Sequence, residues 1–230
     1  MIQGIVFDKD GTLFDFAATW ERWAEALLMR LAEDDLAHAK QAGHAIGFDM
    51  ETHAFAPDSV AIAGTPEALV ERLQPAFPTL SSAHLDRLIN EEAEKARQHP
   101  VVPLIPLLSG LRAQSYALGV ATNDAERPAR AHLDQAGVTE MFDFIAGYDS
   151  GFGSKPAPGQ LLAFCKAVGL HPEQVAMVGD STHDLHAGRA AGMLTVAVLT
   201  GLAPKAVLAP LADVVLPDIG HLDAWLKKRS

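Results

Sequence analysis

The chain has 230 residues, 49% hydrophobic and 20% charged, which suits one large domain, or one domain carrying an insert, around a sizeable core. Its formal net charge of −11, without a basic cluster, argues against nucleic-acid and anionic-membrane partners, and no apolar run reaches the length of a membrane span. The single Cys165 excludes an internal disulfide and suits a reducing cytoplasm, and the start MIQGIVFDKDG lacks the basic-then-apolar layout of a secretory leader.

The first predicted strand is QGIVFD, ending at Asp8. Its short run of Ile, Val and Phe reads as a strand buried on both faces. From Asp15 to about Pro103 no strand of that kind follows. The spacing of Trp20, Trp23, Leu27, Leu28 and Leu31 predicts one long helix over about 18–42. Residues 44–64 read as a looser segment. Helices are predicted again at about 65–74, opened by Thr65-Pro66-Glu67, and at about 82–98, capped by Ser81 or Ser82. HPVVPLIP, residues 99–106, carries three prolines and reads as a stiff hinge. The pattern is an all-helical module inserted directly after the first strand.

Beyond the hinge, helix and strand alternate. Strands are predicted at Leu118–Thr122 (LGVAT), Phe142–Gly147 (FDFIAG), Gln174–Gly179 (QVAMVG) and Leu194–Leu199 (LTVAVL), with helices at 107–117, 125–136, 158–168 and 183–191. Such alternation predicts an α/β core with a Rossmann-like parallel sheet between helices. Right-handed crossovers then bring all strand C-termini to one edge, where open α/β sheets bind ligands.

That edge collects the chemistry. Asp8 and Asp10 lie at and just past the end of the first strand. Thr122, Asn123 and Asp124 end the second, Lys155 lies in the loop after the third, and Asp180 and Asp184 follow the fourth. Converging carboxylates repel unless a cation joins them. An all-oxygen donor set without Cys or His suggests Mg²⁺ rather than zinc, and Mg²⁺ commonly shares its site with a substrate phosphate. Lys155 would balance charge on a carboxylate nucleophile and the phosphate, with Thr122 Oγ and backbone N–H groups on the remaining oxygens. A carboxylate can attack phosphorus, and a second one two residues on can protonate the leaving oxygen and then activate water.

The ordered set DKDGT (8–12), ATND (121–124), SKPAP (154–158) and GDSTHD (179–184) resembles the haloacid dehalogenase superfamily. PLLSGLRAQSYALGVATND and VGDSTHDLHAGRAAGM are similar to its phosphoglycolate phosphatase-like branch, which carries a helical cap after the first motif. The resemblance covers the whole chain and implies a core at 1–15 and 104–230 with a helical cap at 16–103. It implies that Asp8 is the nucleophile and a metal ligand, and that Asp10 is the general acid/base with its backbone carbonyl on the metal. It makes Asp180 a direct metal ligand and Asp184 one that acts through water. Gly11, Thr12, Thr122, Asn123 and Lys155 fall at phosphate-binding positions, with Thr12 also steadying the acid.

The implied activity is a Mg²⁺-dependent phosphatase that hydrolyses a small phosphomonoester, phosphoglycolate- or sugar-phosphate-like, through an aspartyl-phosphate. The alternatives are a sugar phosphomutase, which would return the phosphoryl group to substrate, and a phosphonatase or dehalogenase. A phosphonatase wants a cap lysine, and Lys40 and Lys95 are in range. A receiver domain is too short and places its acids side by side. Blander readings remain for single residues: DKDG is good turn chemistry, Asp184 suits a helix cap, His183 and His186 suit a helix surface, and Trp20 and Trp23 suit a cap core. Between Gln41 and Glu71 there is neither Lys nor Arg, which weakens the case for a substrate carboxylate clamped by the 44–64 loop.

Overall fold

The computed structural model describes residues 1–56 and 58–228. It divides into two compact units, Met1–Asp15 with Gln98–Ser230 and Phe16–Arg97. The first strand, β1 (Gly4–Phe7), is buried along its whole length.

The inserted unit follows at once. Helix α1 (Phe16–Leu31) buries Trp20, Trp23, Leu27, Leu28 and Leu31 on one face, and the two tryptophan rings meet edge to face at 5.0 Å. The single helix expected over 18–42 is instead two helices. The chain leaves α1 through Glu33 and Asp34, both at positive φ, and Asp35 caps α2 (Leu36–Ala45) by accepting from the amides of Ala37 and His38. Aspartate tolerates left-handed backbone and makes a good N-cap, so Asp34 and Asp35 break a periodicity that otherwise carries through.

The looser segment contains a small antiparallel pair, β2 (Phe48–Asp49) with β3 (Ala54–Phe55), so the insert is not wholly helical. Helices α3 (Val60–Ala63), α4 (Pro66–Leu73) and α5 (Ser82–Lys95) complete it. Pro66 opens α4, and the Ser81 hydroxyl caps α5. Leu27, Leu28, Leu73, Leu85 and Ile89 are among the buried residues of a core belonging to this unit.

The sheet unit resumes earlier than the prolines suggest. The Asp15 amide donates to the His99 carbonyl at 2.8 Å and Val101 N to Leu13 O at 3.1 Å, so residues 98–103 group with the sheet rather than with the insert. Helix α6 (Leu104–Ala113) starts directly after Pro103 and holds Pro106 in its first turn, where a missing N–H costs nothing. There follow β4 (Ala117–Ala121), α7 (Glu126–Gln135), β5 (Phe144–Ala146), α8 (Gly159–Val168), β6 (Val175–Gly179), α9 (Thr182–Ala191), β7 (Leu194–Val198), α10 (Lys205–Leu208), β8 (Val214–Leu216) and α11 (Leu222–Lys227).

Six strands form one parallel sheet in the order β5-β4-β1-β6-β7-β8. Side chains alternate between its faces. Ile5 and Phe7 join the layer under α6, α7 and α11, with Leu108, Leu111, Leu133 and Leu222. Val6 joins the opposite layer under α8 and α9, with Leu161, Phe164 and Ala187. After β5 the chain crosses back over β4 and β1 to start β6, so its direction of progress reverses around β1. Open sheets bind ligands beyond the C-terminal strand ends at such a point.

Candidate active site

The ends of β1 and β6 and the loops after β4 and β5 build one buried polar cluster. Asp8 follows β1 directly and is 7% exposed; its amide donates to the Val178 carbonyl of β6 at 2.8 Å. Lys155 is 4% exposed. Its Nζ donates to Asp8 Oδ1 at 2.5 Å and to Asp184 Oδ1 at 2.6 Å. Asp8, Asp180 and Asp184 each offer a carboxylate oxygen, and these atoms all lie within 4.8 Å of one another.

Three carboxylates around one ammonium leave a charge deficit. Burial opposes charge on Lys155, yet Asp184 and Asp8 together raise its pKa and hold it protonated. The same ion pair does not suffice for Asp8. Burial, helped by Asp184 and Asp10, outweighs Lys155 and pushes the Asp8 carboxyl up to about 7. Burial, then the charges of Asp8 and Asp184, raises Asp180 well above the ordinary carboxylate range. A divalent cation among these oxygens would remove the conflict. The donors, hard carboxylate oxygens on buried backbone, fit such an ion.

Asp184 does two things. Its Oδ2 accepts from the amide and the hydroxyl of Ser181, at 3.0 and 2.7 Å, so the pair forms a reciprocal cap at the start of α9. Its Oδ1 faces Lys155. The helix-cap and cluster readings therefore both hold for this residue. His183 is partly buried, and burial lowers its pKa; His186 is exposed.

Several side chains are spent differently from what the sequence implied. The Thr12 hydroxyl donates to Asp180 Oδ1 at 3.2 Å, so it steadies that carboxylate rather than Asp10. Gly11 does not present its amide to a ligand: its N–H donates to Phe14 O at 2.7 Å, and its carbonyl accepts from Thr200 Oγ1 at 2.6 Å. It has φ +80°, and a Cβ there would lie 2.4 Å from Asp180 Oδ2. Glycine is thus required by a turn and by close approach to a carboxylate. Gly201 crowds Asp180 from another side, where a Cβ would sit 1.7 Å from the same oxygen.

Thr122 directly follows β4 and is buried; its Oγ1 accepts from the Asp124 amide at 3.1 Å, which leaves the hydroxyl proton to donate. The Asn123 amide is committed to the lysine loop. It donates to the Lys155 carbonyl and accepts from the Lys155 N–H, both at 2.9 Å, and so fixes the backbone from which the ammonium reaches inward.

The Asp10 carboxylate is not part of the Asp8–Asp180–Asp184 group, although its charge reaches Asp8. It pairs with Lys9 at 2.6 and 2.8 Å. Lys9 is fully buried and also meets His132 Nδ1 at 3.0 Å and Asp124 Oδ2 at 3.3 Å. Sequence reasoning passed over Lys9 and His132. A parity signal was present: Lys9 continues the face of Ile5 and Phe7, which packs under α7, the helix that carries His132.

A family model described as haloacid dehalogenase-like hydrolase matches residues 2–192. The chain belongs to the haloacid dehalogenase-like hydrolases. A phosphoglycolate phosphatase of Rhodospirillum rubrum is 32% identical over 234 residues, covering 98% of this chain and 91% of the relative. An N-acetylmuramic acid 6-phosphate phosphatase of Pseudomonas putida is 30% identical over 204 residues, covering 87% and 84%. The crystal structure of a predicted phosphoglycolate phosphatase from Haemophilus somnus matches with a TM-score of 0.72 at 22% identity, over 100% of this chain and 98% of that one; at that identity the likeness is one of fold.

The inserted unit of this hydrolase has a cavity of its own, about 610 Å³, lined in part by His44, Asp49, Phe55, Asp58 and Arg72. Arg72, from α4, lies one residue beyond the cation-free window. The 44–64 segment therefore does share a cavity with a guanidinium, which a linear count could not show. Lys40 and Lys95 lie apart from it on the surface, paired with Glu51 and Glu92 at 2.8 and 2.7 Å. Among the described residues no helix is long and apolar enough to cross a membrane.

Proposed function

We propose that this hydrolase is a Mg²⁺-dependent phosphatase of small phosphomonoesters and that it works through an aspartyl-phosphate on Asp8. The enzyme is a phosphoric monoester hydrolase of the family. The observation that carries the mechanism is the buried Lys155 ammonium, shared between Asp8 and Asp184 beside a third carboxylate. Asp8, Asp180 and Asp184, with the Asp10 carbonyl, would hold Mg²⁺, which supplies positive charge for the phosphate oxygens.

In this reading an Asp8 oxygen forms a bond to phosphorus as the ester P–O bond breaks, and the leaving oxygen takes a proton from the Asp10 carboxyl. Water then attacks the phosphoryl group and gives a proton back to Asp10. The P–O bond to Asp8 breaks, and inorganic phosphate leaves. Lys155 keeps the Asp8 carboxylate oriented and meets a phosphate oxygen. The Thr122 hydroxyl and nearby backbone N–H groups bind another. The inserted unit, 16–103 in the sequence reading, acts as the cap that excludes water and selects the ester. The relatives' names differ in substrate, so we keep the substrate at a small acidic or sugar phosphate and place the reaction in the cytoplasm, where Cys165 stays reduced.

The phosphonatase alternative is disfavoured. A Schiff-base lysine needs a neutral amine, whereas both lysines considered for it, Lys40 and Lys95, are exposed and ion-paired.

The test is phosphate release from a panel of phosphomonoesters, including phosphoglycolate, sugar phosphates and an aryl phosphate. Release should require Mg²⁺, stop with EDTA and vanish in Asp8→Asn. Undiminished turnover by Asp8→Asn would remove the covalent mechanism, and indifference to EDTA would remove the metal.

A further inference from the structure

We infer that Lys9 is a positioning residue for the proton-transfer group Asp10, and that Asp124 and His132 hold Lys9 for that purpose. The inference rests on the hydrolase reading above.

The Lys9 side chain is fully buried just past the end of a central strand, where an unpaired ammonium is strongly disfavoured. Its Nζ donates to the Asp10 carboxylate at 2.8 Å and meets His132 Nδ1 at 3.0 Å, and Asp124 Oδ2 lies within ion-pair distance at 3.3 Å. The lysine contact assigns the neutral His132 tautomer that carries its proton on Nε2 and accepts at Nδ1. Asp124 is itself fixed, since its Oδ1 accepts from the Ala125 amide at 2.8 Å and its own N–H is held by Thr122. His132 sits on the buried face of α7 with Ala129 and Leu133.

The arrangement has a direction. His132 and Asp124 are deep partners anchored by a helix and a strand end. Asp10 is the shallow one, with 14% of its side chain exposed. Asp10 is two residues from Asp8, and the two carboxylates repel. Among the described residues Lys9 is the side chain that bonds the Asp10 carboxylate. The lysine therefore sets the direction in which that carboxylate points, and a misplacement of about 1 Å in a proton-transfer group is enough to slow catalysis roughly 10²-fold. A lysine serving the fold alone would lower activity on every ester alike. A lysine that places the acid lowers kcat/KM selectively for those esters whose leaving oxygen must receive a proton, because the later hydrolysis of the phosphoenzyme, which also uses Asp10 and is common to all esters, does not enter kcat/KM.

The experiment compares kcat/KM for a primary alkyl phosphate, whose alkoxide needs a proton to leave, with p-nitrophenyl phosphate, whose phenolate leaves without one. This ratio reports the step in which the ester bond breaks. Lys9→Met, which keeps an unbranched apolar stem, should lower the alkyl-to-aryl ratio by about tenfold or more, within the roughly 10²–10⁴ that a positioned acid supplies. Asp10→Asn defines the full effect, and adding Lys9→Met to Asp10→Asn should change the ratio no further. If Lys9→Met does not fold because Asp124 is stranded, Lys9→Met with Asp124→Asn removes both charges of the deep pair and should show the same selective loss. Equal losses on both esters, or none, would overturn the inference while leaving the phosphatase intact. A wild-type enzyme that cleaves neither ester would overturn the hydrolase reading and this inference with it.

Discussion

Replacing Asp8 by Asn should stabilise the metal-free protein at high pH. The folded-state pKa of Asp8, about 7, stands above its ordinary value of 3.8 because burial and neighbouring carboxylates disfavour the charge. A carboxyl with a raised folded pKa favours folding below its unfolded value and loses that contribution as pH rises through the folded value. The loss starts near 3.8 and is complete above about 7. Three units would correspond to about 4 kcal/mol at most. The raised pKa already nets the ion pair and hydrogen bond from Lys155; relaxation and water entry around the charged carboxylate reduce the effect, so a net gain of about 1–3 kcal/mol is expected. For a chain of this size that is a rise in Tm of about 3–10 °C. Thermal unfolding in EDTA at pH 8 measures it. The advantage should shrink towards zero as pH falls to about 4, and saturating Mg²⁺ should reverse the order, since in the proposed mechanism Asp8 is one of the carboxylates that would hold the ion. A lower Tm for Asp8→Asn in EDTA at pH 8, or a difference independent of pH, would refute the charge-deficit account of the cluster.

Two further outcomes are expected. Gly11→Ala places a methyl group 2.4 Å from Asp180 Oδ2 on a left-handed backbone, so Asp180 must move; Mg²⁺ titrations of activity should show at least a tenfold weaker apparent affinity, and an unchanged affinity would mean Asp180 does not hold the ion. Asn123→Ala removes both hydrogen bonds to the Lys155 backbone; kcat should fall about 10-fold or more with little change in Tm, and unaltered kcat would show that the lysine loop needs no latch.

The alternation of helix and strand, the position of the insert and the strand ends that bear charge were legible in the sequence, because period and composition are local properties. Tertiary packing decided the rest. The run Glu33-Asp34-Asp35 ends α1, although the apolar spacing continues, because a left-handed turn and an Asp cap outweigh periodicity. Strand β8 (Val214–Leu216) was not expected; three half-buried residues at the sheet edge carry too short a signal. Residues 98–103 join the sheet unit through backbone hydrogen bonds that prolines in a linear string do not announce.

The site divides in the same way. Sequence alone determined which residue types stand at the ligand edge: Asp8 and Asp10 after β1, Thr122 and Asn123 after β4, Lys155 in the next loop, and Asp180 and Asp184 after β6. A strand's direction fixes where its last residues lie. How those residues share their hydrogen bonds was decided only by the fold. Thr12 goes to Asp180, Asn123 to the Lys155 backbone and Gly11 to a close approach, while Asp10, His132 and Asp124 meet around Lys9. Positions 9 and 132 are 123 residues apart, and only the packing of α7 against the sheet face shared by Ile5 and Phe7 brings a buried ammonium to its partners.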